Sequence, residues 1–142
     1  MKNIYLDSSS IIKVYHEEYD SDEVLKVLSN DIDKIYLSEL VKVEFNSATW
    51  KKIRQGLFNE DEGKNMIKYF EDDYFKYQWV KVDIETLNSA KELIKKYGTD
   101  GLRTLDSIQL ACAIYIKEKA GEYLTSDKNL EEIFAKEGLN II

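Results

Sequence analysis

The fold is indicated first by residues 3–12, which read Asn3-Ile4-Tyr5-Leu6-Asp7-Ser8-Ser9-Ser10-Ile11-Ile12. A short apolar run ends at an acid, and the three serines that follow are residues that favour the first positions of a helix. A buried strand followed at once by a helix is the first half of a β–α unit. The stretch therefore predicts an α/β protein, with Asp7 at the carboxyl end of its first strand.

The rest of the chain continues this alternation. Further strands are predicted at residues 35–37, 79–82, 123–125 and 139–142. Helices are predicted at about residues 11–15, 22–29, 38–55, 59–74, 87–97, 103–119 and 129–136. Short apolar strands separated by helices are typical of a parallel sheet covered by helices. Two helices are expected between the second and third strands, and two more between the third and fourth.

Length and composition favour one cytoplasmic domain spanning residues 1–142. The single Cys112 excludes an internal disulfide and is expected in a helix packed on the core, as in a reducing compartment. No apolar run is long enough for a membrane span, and no signal peptide is expected. The one histidine, His16, is followed by two glutamates and is expected at the surface of a helix end.

Four carboxylates occupy positions where such a sheet would bind a ligand. Ligands of open α/β sheets bind beyond the carboxyl ends of the strands, and Asp7 and Asp127 each follow a predicted strand. Glu44 lies on or beside the apolar face of the helix after the second strand, and Asp106 lies near the start of the most apolar helix. Burying unpaired carboxylates is costly, so a compensating charge is expected.

Each acid also has a structural interpretation. Asp7 and Asp127 are both typical helix caps or turn residues. Glu44 could be a solvated or salt-bridged residue at the margin of its helix face, and Asp106 could be a first-turn acid favoured by the helix dipole. The coincidence of all four at one edge of one sheet favours a site, but no single acid decides between the two interpretations.

Oxygen-preferring divalent cations are the chemistry that suits these acids best. Mg²⁺ and Mn²⁺ take carboxylate and phosphate oxygens, and one or two such ions can assist phosphodiester cleavage. The chain has one histidine, no cysteine pair for zinc and no glycine-rich phosphate loop. The net charge of −7 argues against a protein that coats nucleic acid, but not against an enzyme that reaches phosphate through bound metal.

Four stretches resemble the motifs of PIN domains, especially VapC-type toxins. The first is Tyr5-Leu6-Asp7-Ser8-Ser9-Ser10-Ile11-Ile12-Lys13, and the second is Ser38-Glu39-Leu40-Val41-Lys42-Val43-Glu44-Phe45. The third and most specific is Leu102-Arg103-Thr104-Leu105-Asp106-Ser107-Ile108-Gln109-Leu110-Ala111, and the last is Leu124-Thr125-Ser126-Asp127. They cover nearly the whole chain, and all four acids are present.

The resemblance implies a three-layer α/β/α fold with about five strands in the order 3-2-1-4-5. It also implies an RNA endonuclease that depends on Mg²⁺ or Mn²⁺, with Asp7, Glu44, Asp106 and Asp127 as catalytic metal ligands. Ser9 and Ser126 match positions that support the acids by hydrogen bonds. Arg103 matches a basic position that pairs with a carboxylate or contacts phosphate.

The same resemblance implies partners and leaves alternatives. It implies an RNA substrate, a cognate antitoxin, a homodimer and no membrane. Six aromatic residues exceed what one helical stripe can bury, so some are expected to be exposed as an interface: Tyr69, Phe70, Tyr74, Phe75, Tyr77 and Trp79. A non-catalytic PIN module remains an alternative, as does a Mg²⁺-binding phosphoacceptor domain, although Asp7 is followed by serines rather than by a second acid.

Overall fold

A computed structural model describes residues 2–17 and 21–142, and these residues form a parallel sheet between two layers of helices. The strands are β1 (Lys2–Leu6), β2 (Ile32–Ser38), β3 (Gln78–Val80) and β4 (Glu122–Leu124). The helices are α1 (Ser8–Tyr15), α2 (Ser21–Leu28), α3 (Leu40–Arg54), α4 (Glu60–Asp72), α5 (Ile84–Tyr97), α6 (Thr104–Tyr115) and α7 (Lys128–Lys136). Short 3-10 helices lie at Tyr74–Lys76 and Gly98–Asp100.

The sheet has the order β3-β2-β1-β4, and every strand pair is parallel. This confirms the predicted order over the first four positions. The predicted fifth strand is reduced to one parallel bridge between Tyr123 and Ile141, in the expected place beside β4. Two backbone hydrogen bonds make this contact, from Tyr123 N to Asn140 O and from Ile142 N to Tyr123 O.

Side chains alternate across β1 and divide the core into two parts. Ile4 and Leu6 point to one face, where they pack with α1, α3 and α4, and Tyr5 points to the other, where it packs with α5, α6 and α7. All three side chains are fully buried. A central strand that is apolar on both faces requires a helical layer on each side, which is the predicted three-layer architecture.

Several boundaries differ from the sequence prediction. The second strand is longer than predicted because it begins at Ile32, and the third is shorter because it ends at Val80. The apolar helix α6 ends at Tyr115 and continues as turns to residue 119. These are ends of elements, where apolar periodicity carries little information.

His16 was expected at the surface, and this prediction was wrong. Its side chain is buried, with 1% of its surface exposed, and Nε2 lies 2.9 Å from Thr49 Oγ1. The ring packs edge-on against Phe45 and Phe58. The glutamates that follow it gave the wrong indication because the polypeptide turns at the end of α1, which directs His16 back against α3. Cys112 is buried in α6, as predicted.

Within residues 2–17 and 21–142, no helix combines the length and apolarity required to cross a membrane.

Candidate functional site

Asp7 and Asp127 lie at the same edge of the sheet, as predicted. They follow the neighbouring strands β1 and β4, where Leu6 pairs with Leu124. Asp7 N donates to Leu124 O at 3.3 Å, and Ser126 N donates to Ser9 Oγ at 3.1 Å. These bonds hold the two loops together, so the parallel pairing of β1 with β4 is what places the two acids in one region.

Asp7 is buried and held by hydrogen bonds to both carboxylate oxygens. Its Oδ1 accepts from Ser9 Oγ at 2.7 Å and from Ser10 N at 3.1 Å, and its Oδ2 accepts from Thr125 Oγ1 at 2.6 Å. Burial raises the pKa of Asp7 from 3.8 to about 6, although the hydrogen bonds act in the opposite direction. The bond to Ser10 N makes Asp7 the N-cap of α1, so the capping interpretation is also correct.

Glu44 is held from one side by two donors. Ser8 Oγ donates to Glu44 Oε1 at 2.5 Å, and Gln109 Nε2 donates to the same oxygen at 3.1 Å. Glu44 comes from α3, Ser8 from α1 and Gln109 from α6, so three helices meet at this carboxylate. The side chain is only half-buried, although its donors Ser8 and Gln109 are buried.

Asp106 lies close enough to two of the other acids to be affected by their charge. Burial raises its pKa, the negative charges of Asp127 and Glu44 raise it further, and Arg103 opposes the shift. Asp127 caps α7 by accepting from Asn129 N at 2.9 Å and from Leu130 N at 3.1 Å. Arg103 is exposed and forms no ion pair within the described part of the chain, so it acts on Asp106 through space.

The donor set suits a hard divalent cation, but the side chains do not form a closed cage. Among residues 2–17 and 21–142, no three acid, histidine or cysteine side chains are placed to hold one ion. Asp7 accepts internal hydrogen bonds on both oxygens, and Glu44 accepts them on Oε1 alone. Because a carboxylate has about four acceptor positions, each acid can still bind a cation. Mg²⁺ commonly binds through one or two carboxylates and keeps several waters, which fits acids that approach from different elements.

The sequence profile of the PIN domain matches residues 4–135. The chain belongs to the PIN-domain family. The matched region includes Asp7, Glu44, Asp106 and Asp127, so the four acids of the candidate site fall within the PIN domain.

Solved structures of proteins from three bacteria have similar folds. VapC20 from Mycobacterium tuberculosis, described as a toxin that cleaves the sarcin-ricin loop, has a TM-score of 0.72 at 11% identity, over 92% of this chain and 94% of VapC20. VapBC2 from Rickettsia felis, solved with a promoter DNA fragment, has a TM-score of 0.66 at 14% identity, over 99% and 97% of the two chains. FitAcB from Neisseria gonorrhoeae has a TM-score of 0.67 at 16% identity, over 98% and 96%. No curated protein sequence matches the chain.

The structure of this PIN domain identifies contacts to the acids that sequence reasoning missed. Thr125, which was not predicted, donates to Asp7 Oδ2 at 2.6 Å. Ser126 contacts the serines next to Asp7, since its N donates to Ser9 Oγ and its Oγ lies 3.3 Å from Ser10 Oγ. Gln109 also contacts Glu44, and its sequence signal is a polar residue between Ile108 and Leu110 in an apolar helix, a position where buried glutamine is unusual. Ser9 contacts Asp7 as expected.

The aromatic residues after α3 divide between core and surface, as predicted. Phe70 is fully buried and Tyr77 is nearly so, whereas Tyr69 and Phe75 are 61% and 81% exposed. Phe70 stacks on Phe45 with ring centroids 4.3 Å apart. The exposed pair gives this PIN domain apolar surface that its own core does not use.

Proposed function

We propose that this PIN domain is an endoribonuclease that depends on Mg²⁺ or Mn²⁺, with one or two ions held by Asp7, Glu44, Asp106 and Asp127. The reaction is hydrolysis of an RNA phosphodiester bond by metal-activated water. The observation that carries the proposal is the convergence of acids at one edge of the sheet. Asp7 and Asp127 follow the paired ends of β1 and β4, and Ser8, the residue after Asp7, donates to Glu44 Oε1 at 2.5 Å. Asp106 lies near enough to this group that Asp127 and Glu44 add to the effect of burial in raising its pKa, against the charge of Arg103. None of the four acids forms an ion pair within the described part of the chain, so a divalent cation bound at this edge would offset their charge.

The protein residues would bind and orient the reactants. When bound, the cation supplies Lewis-acid chemistry, since it offsets phosphate charge and lowers the pKa of a water ligand. Asp7 is fixed by Ser9, Ser10 and Thr125, which gives that carboxylate a defined position. Arg103 is exposed beside Asp106, where its guanidinium can contact an RNA phosphate.

We further propose that the enzyme is the toxin of a type II toxin–antitoxin pair acting in the cytoplasm. The likeness of its fold to VapC20, VapBC2 and FitAcB supports this assignment. The exposed Tyr69 and Phe75 support a protein partner, since aromatic residues are enriched at interfaces. The cognate antitoxin is the proposed occupant of that surface, and the enzyme is proposed to act as a homodimer.

Cleavage of a structured RNA pool tests the activity. Purified protein is assayed with Mn²⁺, with Mg²⁺ and with EDTA, beside Asp106→Asn and the matched control Asp72→Asn. Asp72 is an exposed residue at the end of α4, so the control makes the same chemical change outside the site. We expect cleavage that requires metal, is lost in Asp106→Asn and persists in Asp72→Asn.

Other outcomes separate the alternatives. Cleavage that survives in EDTA, or in Asp106→Asn, would contradict the metal-site assignment. A folded protein that cleaves no RNA under any condition would favour a non-catalytic PIN module. The toxin assignment has its own test, because expression without a partner should arrest growth and Asp106→Asn should not. Harmless expression of an enzyme that is active in the cleavage assay would contradict the toxin role alone.

A further inference from the structure

Gln109 is a buried polar side chain within the most apolar helix of the protein. Only 2% of its surface is exposed, and it lies in α6 between the buried residues Ile108 and Leu110. Burying an amide without hydrogen bonds is costly, so a buried glutamine is stable only where its partners are supplied. The partners of Gln109 therefore indicate its role.

The side-chain amide of Gln109 joins β1, α1 and α3 to α6. Its Oε1 accepts from Tyr5 Oη at 2.5 Å, and its Nε2 donates to Ser8 Oγ at 2.8 Å and to Glu44 Oε1 at 3.1 Å. Ser8 Oγ in turn donates to Glu44 Oε1 at 2.5 Å. Tyr5 and Ser8 are themselves buried, so this chain of hydrogen bonds runs from the core to the half-buried Glu44.

The chemistry of these groups permits one orientation of the amide. An ionised carboxylate only accepts hydrogen bonds, so the NH₂ group of Gln109 must face Glu44. Oε1 then faces Tyr5, whose phenolic hydroxyl donates a hydrogen bond to it. Tyr5 thus fixes one end of the amide, and the other end fixes Glu44 Oε1.

We propose that Gln109 is a positioning residue for Glu44, and this inference rests on the metal-dependent nuclease proposed above. With Oε1 engaged by Ser8 and Gln109, Glu44 Oε2 is the oxygen left to bind a divalent cation. The two donors limit rotation of the carboxylate, so less freedom is lost when a cation binds. Residues that orient metal ligands by hydrogen bonds commonly affect metal affinity by about 10–100-fold.

Binding of Mn²⁺ alone to the metal-free, full-length protein tests this role without any RNA. Affinity is measured by titration calorimetry for the parent and for Gln109→Leu, which removes both N–H donors at similar volume. Gln109→Met is the second variant, because its unbranched side chain retains the shape of glutamine if leucine does not fit. The matched control is Cys112→Ala, a buried residue one turn further along α6 that contacts Ser38 rather than Glu44.

We expect Mn²⁺ affinity to fall by about 10–100-fold in whichever Gln109 variant unfolds cooperatively, and to be unchanged in Cys112→Ala. Cleavage by the Gln109 variant should recover at raised Mn²⁺, because the defect lies in metal occupancy. A purely structural role predicts lower thermal stability with parental Mn²⁺ affinity, and that result would overturn the proposal. Loss of cooperative folding in both variants would also overturn it, because the amide would then be required for the core itself.

Glu44→Gln distinguishes failure of this inference from failure of the proposed site. If Glu44→Gln weakens Mn²⁺ binding and the Gln109 variants do not, only the positioning role is wrong. If Glu44→Gln binds Mn²⁺ as the parent does, Glu44 is not a metal ligand, and the proposed site fails together with the inference.

Discussion

Replacing Asp7 by asparagine should abolish RNA cleavage and make the metal-free protein more stable at neutral pH. Asp7 is buried, with only 3% of its surface exposed, and burial penalises its ionised form. Asparagine has nearly the same shape, keeps one oxygen for the bonds from Ser9 and Ser10, and carries no charge. The substitution therefore removes a proposed metal ligand and relieves an electrostatic cost together.

The size of the gain follows from the pKa of Asp7. The pKa rises from 3.8 to about 6 on folding, a shift of about 2 units, and each unit corresponds to about 1.36 kcal/mol. Ionised Asp7 therefore costs about 3 kcal/mol of unfolding free energy above pH 6. If asparagine places its NH₂ group where Asp7 Oδ2 lay, the Thr125 hydroxyl can no longer donate there. Losing this hydrogen bond costs about 1 kcal/mol. The net gain is about 2 kcal/mol, or about 6 °C for a chain of this length.

The sign of the pH dependence is determined by which state ionises first. As pH rises from about 4 to about 6, Asp7 ionises in the unfolded chain before it does so in the folded protein, so the parent loses stability over this range. Asparagine does not titrate, so the advantage of Asp7→Asn should appear between those pH values and be mostly absent at about pH 4. Urea unfolding of parent and Asp7→Asn in EDTA, at about pH 4 and at about pH 7.5, measures this difference in the free energy of unfolding at each pH. An advantage that is the same at both pH values, or a less stable variant at neutral pH, would refute the reasoning.

Two further perturbations test the metal site and the core. Mn²⁺ at a hundredfold excess over its dissociation constant should stabilise the parent by about 2.7 kcal/mol, measured by thermal unfolding. Asp106→Asn should reduce this gain. An unchanged melting temperature of the parent at millimolar Mn²⁺ would count against the site. Phe70→Ala should cost about 3–5 kcal/mol in urea unfolding, because Phe70 is fully buried against the ring of Phe45. The matched change Phe75→Ala, at a side chain that is 81% exposed, should change the free energy of unfolding by no more than about 0.5 kcal/mol. Similar losses of stability in both variants would refute the assigned packing.

The fold could be predicted because the apolar pattern of the strands is strict. Ile4, Tyr5 and Leu6 are apolar at successive positions, which requires burial on both faces and hence a parallel sheet with helices on each side. The weakest prediction was the last strand, because an apolar run at residues 139–142 does not reveal how many backbone hydrogen bonds form. The structure has one bridge there, at Ile141.

The positions of the four acids could be predicted better than their surroundings. Asp7 and Asp127 follow strands, so the parallel topology alone brings their loops together. Glu44 and Asp106 were indicated by their positions in apolar helices and by the resemblance to PIN domains, and in the structure the charge of Glu44 contributes to raising the pKa of Asp106. The function of each acid remains a proposal, because capping bonds at Asp7 and Asp127 satisfy the structural interpretation equally well.

The residues that hold the acids could not be predicted, because their contacts depend on rotation of the helices. Ser8, Ser9 and Ser10 are chemically alike and adjacent in sequence, yet Ser8 donates to Glu44, Ser9 donates to Asp7, and Ser10 lies beside Ser126. Successive residues of a helix point about 100° apart, so one serine run serves three different partners. Gln109 reaches Glu44 from a residue 65 positions away, which no local pattern encodes. A buried polar residue in an apolar helix is therefore worth treating as a candidate contact to a nearby acid, since burial requires that it have a partner.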